Sequence, residues 1–222
     1  MQFDFTPVLD RLPYLAAGAW FSLQIAFTAF VLGMLIGLAG ASIRAYGPVW
    51  ARRIVGAYVV FFTNTPQLVQ IYFFYFALPD LGILLSSFTA VLVGMTLNAG
   101  AYLTEIQRAG FESRRASEME AAEVLGFSRL QQIRYVILPH VARVLFPPLS
   151  NHFIIMTLGT SMAAVFGVEE LTGQAFNINA LTFRSIEIFS VVALFYVALT
   201  MLASLLLAGI GRYAFRTRMG LL

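Results

Sequence analysis

Cysteine and lysine are both absent from the 222 residues. Without cysteine there is no disulfide, thiol nucleophile, thiolate metal site or iron–sulfur cluster. All 14 basic residues are arginines. A phosphate-binding P-loop needs a lysine on the β- and γ-phosphates, so the chain carries no such loop of its own. Schiff-base catalysis is excluded for the same reason. The two histidines, His140 and His152, are too far apart in sequence for a helical metal pair. Charge is sparse at 11% of residues, against about 25% in soluble domains.

Apolar residues fill the space that charge leaves. They make up 59% of the chain, where about 45–50% is usual. A soluble fold has nowhere to hide so much apolar surface, so the composition is that of an integral membrane protein. Disordered, collagen-like and free-standing nucleic-acid-binding classes are excluded. A spanning helix needs about 20 mostly apolar residues. Five stretches qualify, at roughly 15–43, 54–78, 88–107, 148–168 and 188–211. The predicted fold is all-α, one membrane domain over 1–222 with five transmembrane helices. The N-terminus has no basic n-region, carries Asp4 and Asp10, and opens on an apolar stretch too long for a signal peptide.

Orientation follows from the arginines. Cytoplasmic loops are enriched in them. With the N-terminus outside and the C-terminus inside, 12 of the 14 fall in the cytoplasm, at 44, 52, 53, 108, 114, 115, 129, 134, 143, 212, 216 and 218. Only Arg11 and Arg184 lie outside. This arrangement places segment 108–147 in the cytoplasm and loops 79–87 and 169–187 outside.

Segment 108–147 reads as two short capped helices. Ser117-Glu-Met-Glu120 and Ser128-Arg-Leu-Gln131 both fit a capping box. Gly126 suits the position just past the first helix. Pro139 is predicted to stop the second. Such a pair makes a rigid protrusion fit to contact a partner; an amphipathic pair resting on the headgroups is the alternative.

Glu120-Ala121-Ala122, then Gly126, Val136, Leu138 and Pro139, match the EAA signature with valine in place of the usual isoleucine. The chain thereby resembles the permease subunits of bacterial ABC importers. Thr65-Pro66-Gln67-Leu68-Val69-Gln70, the Asn98 to Gly110 run, Val165 to Thr172 and Thr182-Phe183-Arg184 resemble the polar amino-acid uptake branch. The resemblance covers nearly the whole chain. It implies the type I importer permease fold in the bacterial inner membrane, with the EAA segment as coupling helix near 118–126. It implies two ATPase subunits that bind ATP and Mg, so that this chain holds no cofactor and is not an enzyme. It also implies a second permease subunit and an external amino-acid-binding protein. Two departures stand out. Thr63-Asn64-Thr65-Pro66 replaces the branch's R-G-T-P, and Leu158-Gly159-Thr160-Ser161-Met162 replaces K-D-T-S-L. Both remove charge at membrane depth, as one half of a heterodimer would allow.

Polar side chains in spans line a water-filled path or bond between helices. The candidates for a substrate path are Asn64, Gln67, Asn98, Thr160 and Ser161, with Pro66 able to kink the second span. The coupling candidates are Glu120, Ala121, Ala122, Gly126, Leu138 and Pro139. Glu105 and Arg108 fit an i,i+3 ion pair, with a gating role as the alternative. His140 reads as a surface or partner contact. Gly33-x-x-x-Gly37 serves either a subunit contact or packing within the chain. Five helices are too few to enclose a gated path, so a dimer is expected. The expected function is ATP-driven import of polar amino acids. Import of opines or similar solutes and ion-coupled secondary transport are the rivals.

Overall fold

The computed structural model describes residues 4–113 and 116–215, so Arg114, Arg115, Arg216 and Arg218 lie outside the described residues. Every regular element among them is helical. A single turn, α1 (Thr6–Leu9), precedes the long α2 (Leu12–Tyr46). At 1.5 Å per residue α2 is about 52 Å long, well over the bilayer's apolar thickness. It stops at Gly47-Pro48, where both backbones are extended. The residue before a proline is pushed out of the helical region.

The predicted second span is not one helix. α3 (Val49–Thr63) and α4 (Gln67–Tyr72) meet at an angle of 104°, with α4 continuing through a π turn and a 3-10 turn to Leu81. Pro66 explains the break. It has no N–H to continue the ladder and it disfavours helix at Thr65.

α5 (Ser87–Glu112) is the central helix, with 13 of its 26 residues buried. Neighbouring helices shield it from lipid, so it can carry Thr96, Asn98, Thr104 and Gln107 at buried positions. Its polarity is the reason it is absent from the three helices that, among the described residues, are apolar enough to span by composition: Leu12–Tyr46, Arg129–Phe166 and Ser185–Ala214. The main core joins Ile25 and Ala29 to Val91, Met95, Ala99 and Leu103, with Met156 and Phe166. Gly33 and Gly37 face α5 of the same chain. A Cβ at Gly37 would stand 2.8 Å from the Leu103 Cβ and 2.9 Å from its carbonyl carbon. That face is packed inside the chain.

α6 (Ala116–Val124) follows, then α7 (Arg129–Gln131), a π turn (Gln132–Ile137), α8 (Leu138–Gly159) and a 3-10 turn (Thr160–Phe166). These last four elements form one continuous helical run. Pro139 does not stop it. The π turn ends at Ile137, one residue ahead of Leu138-Pro139, so the proline falls where the helical ladder is already altered from i→i+4. Pro147 and Pro148 lie within the same helix. The Ser117 capping box also fails, because Ser117 falls inside α6 rather than before it.

The predicted outer loop 169–187 contains a further helix, α9 (Leu171–Thr182), before α10 (Ser185–Ile210). A second core of Val8, Leu15, Ala19, Leu171, Ala175, Ile178, Ile188 and Val192 ties α1 and the start of α2 to α9 and α10.

Candidate coupling surface and polar path

α6 is a short helix with a well-built end. Gly126 adopts φ 73, which glycine reaches at no cost. The Phe127 N–H donates to the Ala122 carbonyl at 3.0 Å, and the Gly126 N–H to Glu123 at 2.9 Å. This is the Schellman arrangement. The next turn opens on the predicted Ser128 capping box, with both reciprocal bonds present. Gln132, buried, donates to the Phe127 carbonyl at 3.2 Å and closes the corner between the two helices.

The six coupling candidates divide by exposure. Ala122 is buried under the corner, while Glu120, Ala121, Gly126, Leu138 and Pro139 are exposed. Large apolar side chains surround them in the open, with Val124 88%, Leu125 71% and Leu130 74% exposed. His140 braces the corner. Its Nε2 donates to the Ser113 carbonyl at 3.2 Å and its Nδ1 lies 3.4 Å from the Glu118 carboxylate. At the same end of the bundle Arg108 pairs with Glu105 at 2.8 Å, as predicted, and also with Glu112 at 2.6 Å. Arg44 of α2 reaches Glu105 at 3.3 Å.

The five path candidates do not form one cluster. Asn98 stands at the break between α3 and α4. Its Nδ2 donates to the Phe62 carbonyl and to Gln70 Oε1, each at 3.1 Å. Gln70 Nε2 in turn reaches the Phe62 and Thr65 carbonyls and the Thr65 hydroxyl, at 3.0, 3.1 and 2.7 Å. Carbonyls freed by Pro66 are thus satisfied from α4 and α5. Asn64 is exposed and bonds the Val60 carbonyl of its own helix. Gln67 is half-buried, its amide oxygen close to Gly159. Thr160 is buried and Ser161 half-buried; each donates to a carbonyl three residues back.

Sequence reasoning missed a carboxylate at the opposite end of the bundle. Glu170 is fully buried and caps α9, accepting the Thr172 and Gly173 N–H groups at 2.9 and 3.0 Å. Ser22 of α2 and Tyr196 of α10 donate to its other oxygen at 2.9 and 3.1 Å. Burial pushes the carboxyl up from its ordinary range, and the Thr172, Ser22, Gly173 and Tyr196 bonds pull it back. An acid directly before Leu171-Thr172-Gly173 was the available cap signal. Tyr58 and Tyr102 were also missed; their hydroxyls donate to the Leu97 and Thr63 carbonyls at 2.6 and 3.3 Å. Among the described residues no three His, Asp or Glu side chains converge as a metal cage.

Comparison with known proteins agrees with this architecture. Residues 29–216 match the model of the binding-protein-dependent transport system inner membrane component. The glutamine transport system permease protein of Escherichia coli K12 is 40% identical over 96% of this chain and 98% of its own. A probable amino-acid ABC transporter permease protein of Vibrio harveyi is 34% identical over 88% and 89%. A crystal structure of an amino acid ABC transporter with histidines superposes with a TM-score of 0.88 at 31% identity, covering 96% of this chain and all of that one. A capped helical corner, a broken second helix and a polar central helix therefore sit in a chain that belongs to the family of binding-protein-dependent transport system inner membrane components.

Proposed function

We propose that this chain is the translocation subunit of an ATP-driven importer of polar amino acids. The exposed corner around α6 carries the proposal. A helix of nine residues, fixed by a Schellman turn and a capping box, holds Val124, Leu125 and Leu130 in the open. An exposed apolar patch on a rigid support is a protein contact in waiting. Glu120, Ala121, Ala122, Gly126, Leu138 and Pro139 form this contact with the ATPase, Ala122 by shaping the corner and the others at its surface.

The chain is one unit of five passes, counting α3–α4 as one bent pass and α5 as the shielded one. Its N-terminus is outside, and segment 108–147 and the C-terminus are in the cytoplasm. Two ATPase subunits bind ATP and Mg and perform the hydrolysis. Their closure moves the α6 corner, and the spans exchange an inward-open for an outward-open path. A binding protein outside delivers the amino acid. A second permease completes the path. Thr63, Leu158 and Gly159, standing where the uptake branch carries charge, favour a heterodimer whose partner keeps those charges. Asn64, Gln67, Asn98, Thr160 and Ser161 line this half of the path.

The test is affinity purification of the tagged chain from its native membrane, with mass spectrometry of its companions and ATP-dependent uptake in vesicles. Co-purification of a P-loop ATPase and a second permease is expected. Ion-driven uptake with no ATPase would overturn the proposal.

A further inference from the structure

A second basic feature lies at the end of the bundle where α2, α3 and α5 meet. A cavity of about 400 Å³ is lined by Arg44, Arg52, Arg53 and Arg108, with Gly56 and Glu112. The Arg44 guanidinium reaches over α3 at Gly56, 3.5 Å from where a Cβ would stand. Arg44 and Arg108 are held by Glu105 and Glu112. Arg52 and Arg53 are exposed, and among the described residues neither has an ion-pair partner. Four arginines against two glutamates leave the site two positive charges in excess.

Its surroundings identify the ligand. Tyr46 and Trp50, 70% and 67% exposed, lie two residues in sequence from Arg44 and Arg52, as aromatic residues do at headgroup depth. Ile54, 62% exposed, continues the outer surface of α3 toward the apolar zone. An anion bound here lies beside the adjoining face of α3, on which Trp50 and Ile54 form an exposed apolar stripe at i,i+4 spacing. We propose that this cavity holds the phosphate of an anionic phospholipid headgroup from the cytoplasmic leaflet, its acyl chains lying along α3. A soluble phosphate offers the same charge but nothing for Trp50 and Ile54. The bound headgroup bridges α3 to α5, the helix that leads into the α6 corner. The leaflet rests on the orientation proposed above.

The test uses the intact complex in nanodiscs of phosphatidylcholine with a minority of phosphatidylglycerol. Native mass spectrometry counts the lipid retained by the wild type, by the Arg52→Gln/Arg53→Gln variant and by an Arg212→Gln control. Each basic residue near an anionic surface is worth roughly fivefold in affinity, so the double variant is expected to lose its preference for phosphatidylglycerol by about 25-fold. The control keeps it. Equal retention by all three overturns the proposal. So does saturable binding of labelled inorganic phosphate, lost in the double variant, by a wild type with no lipid preference. A variant that keeps its lipid but sheds the ATPase assigns the arginines to a protein contact and also overturns it. Nanodiscs offer both leaflets, and retention is read without ATP or substrate. A failure of the transport reading and a failure of the lipid site are thus distinguishable.

Discussion

Glu170 has no exposure to solvent, yet four donors from three helices converge on its two oxygens. Removing the carboxylate leaves two amides at the start of α9 and the hydroxyls of Ser22 and Tyr196 without it. Buried groups stripped of a partner cost about 1–3 kcal/mol each, less where they can rebond. Glu170→Ala is therefore expected to lower stability by about 3 kcal/mol, and Glu170→Gln by less because one oxygen remains for the amides. Thermal unfolding of the purified complex checks the order. At the other polar node, Asn98 and Gln70 share one hydrogen bond and one carbonyl. Asn98→Leu and Gln70→Leu are expected to be non-additive by about 1 kcal/mol in a double-mutant cycle. Additive effects would return Asn98 to an independent role in the path.

At the scale of elements, the apolar runs were legible because lipid demands them. α2 and α10 were found within a few residues. The break in the second span was legible only as a possible kink at Pro66. Its 104° turn depends on Gln70 and Asn98 taking up the freed carbonyls, one of them from a different helix. α9 was read as loop because its cap is a buried acid whose partners lie on α2 and α10. The end of α6 was readable at Gly126, a local backbone requirement. Its beginning was not, since Ser117 fits a cap by type but falls inside the helix. On α6, Glu120 and Ala121 are exposed, while the burial of Ala122 follows from the corner closed by Gln132. Glu120→Arg reverses one exposed charge on α6. It is expected to abolish ATPase co-purification while leaving membrane insertion intact, as judged by pull-down and membrane fractionation. Normal ATPase recovery and uptake would remove α6 from the contact.

For the whole molecule, burial is uneven. Only 17% of the apolar window of α10 is buried within the chain, against 39% for α2. The surface left over belongs to lipid or to a second permease. Topology is testable directly. A fluorescent protein fused to the C-terminus is expected to mature, and alkaline phosphatase at the same place to stay inactive, since the first works in the cytoplasm and the second outside. The reverse pattern would overturn the positive-inside assignment.

The continuous run from Arg129 to Phe166 gives this molecule a pushrod. Its 38 residues extend about 57 Å at the α-helical rise. One end belongs to the corner proposed to meet the nucleotide-driven motor. The other stops four residues short of Glu170, whose four bonds anchor the opposite end of the bundle. The two ends cannot be timed separately, because a helix that moves at one end moves at both. The collar at Gln132–Ile137 and the prolines at 147 and 148 can soften the stroke without disconnecting it. Opening on one face and closing on the other then need no signal between them. The interlock against a leak is a matter of rigid geometry.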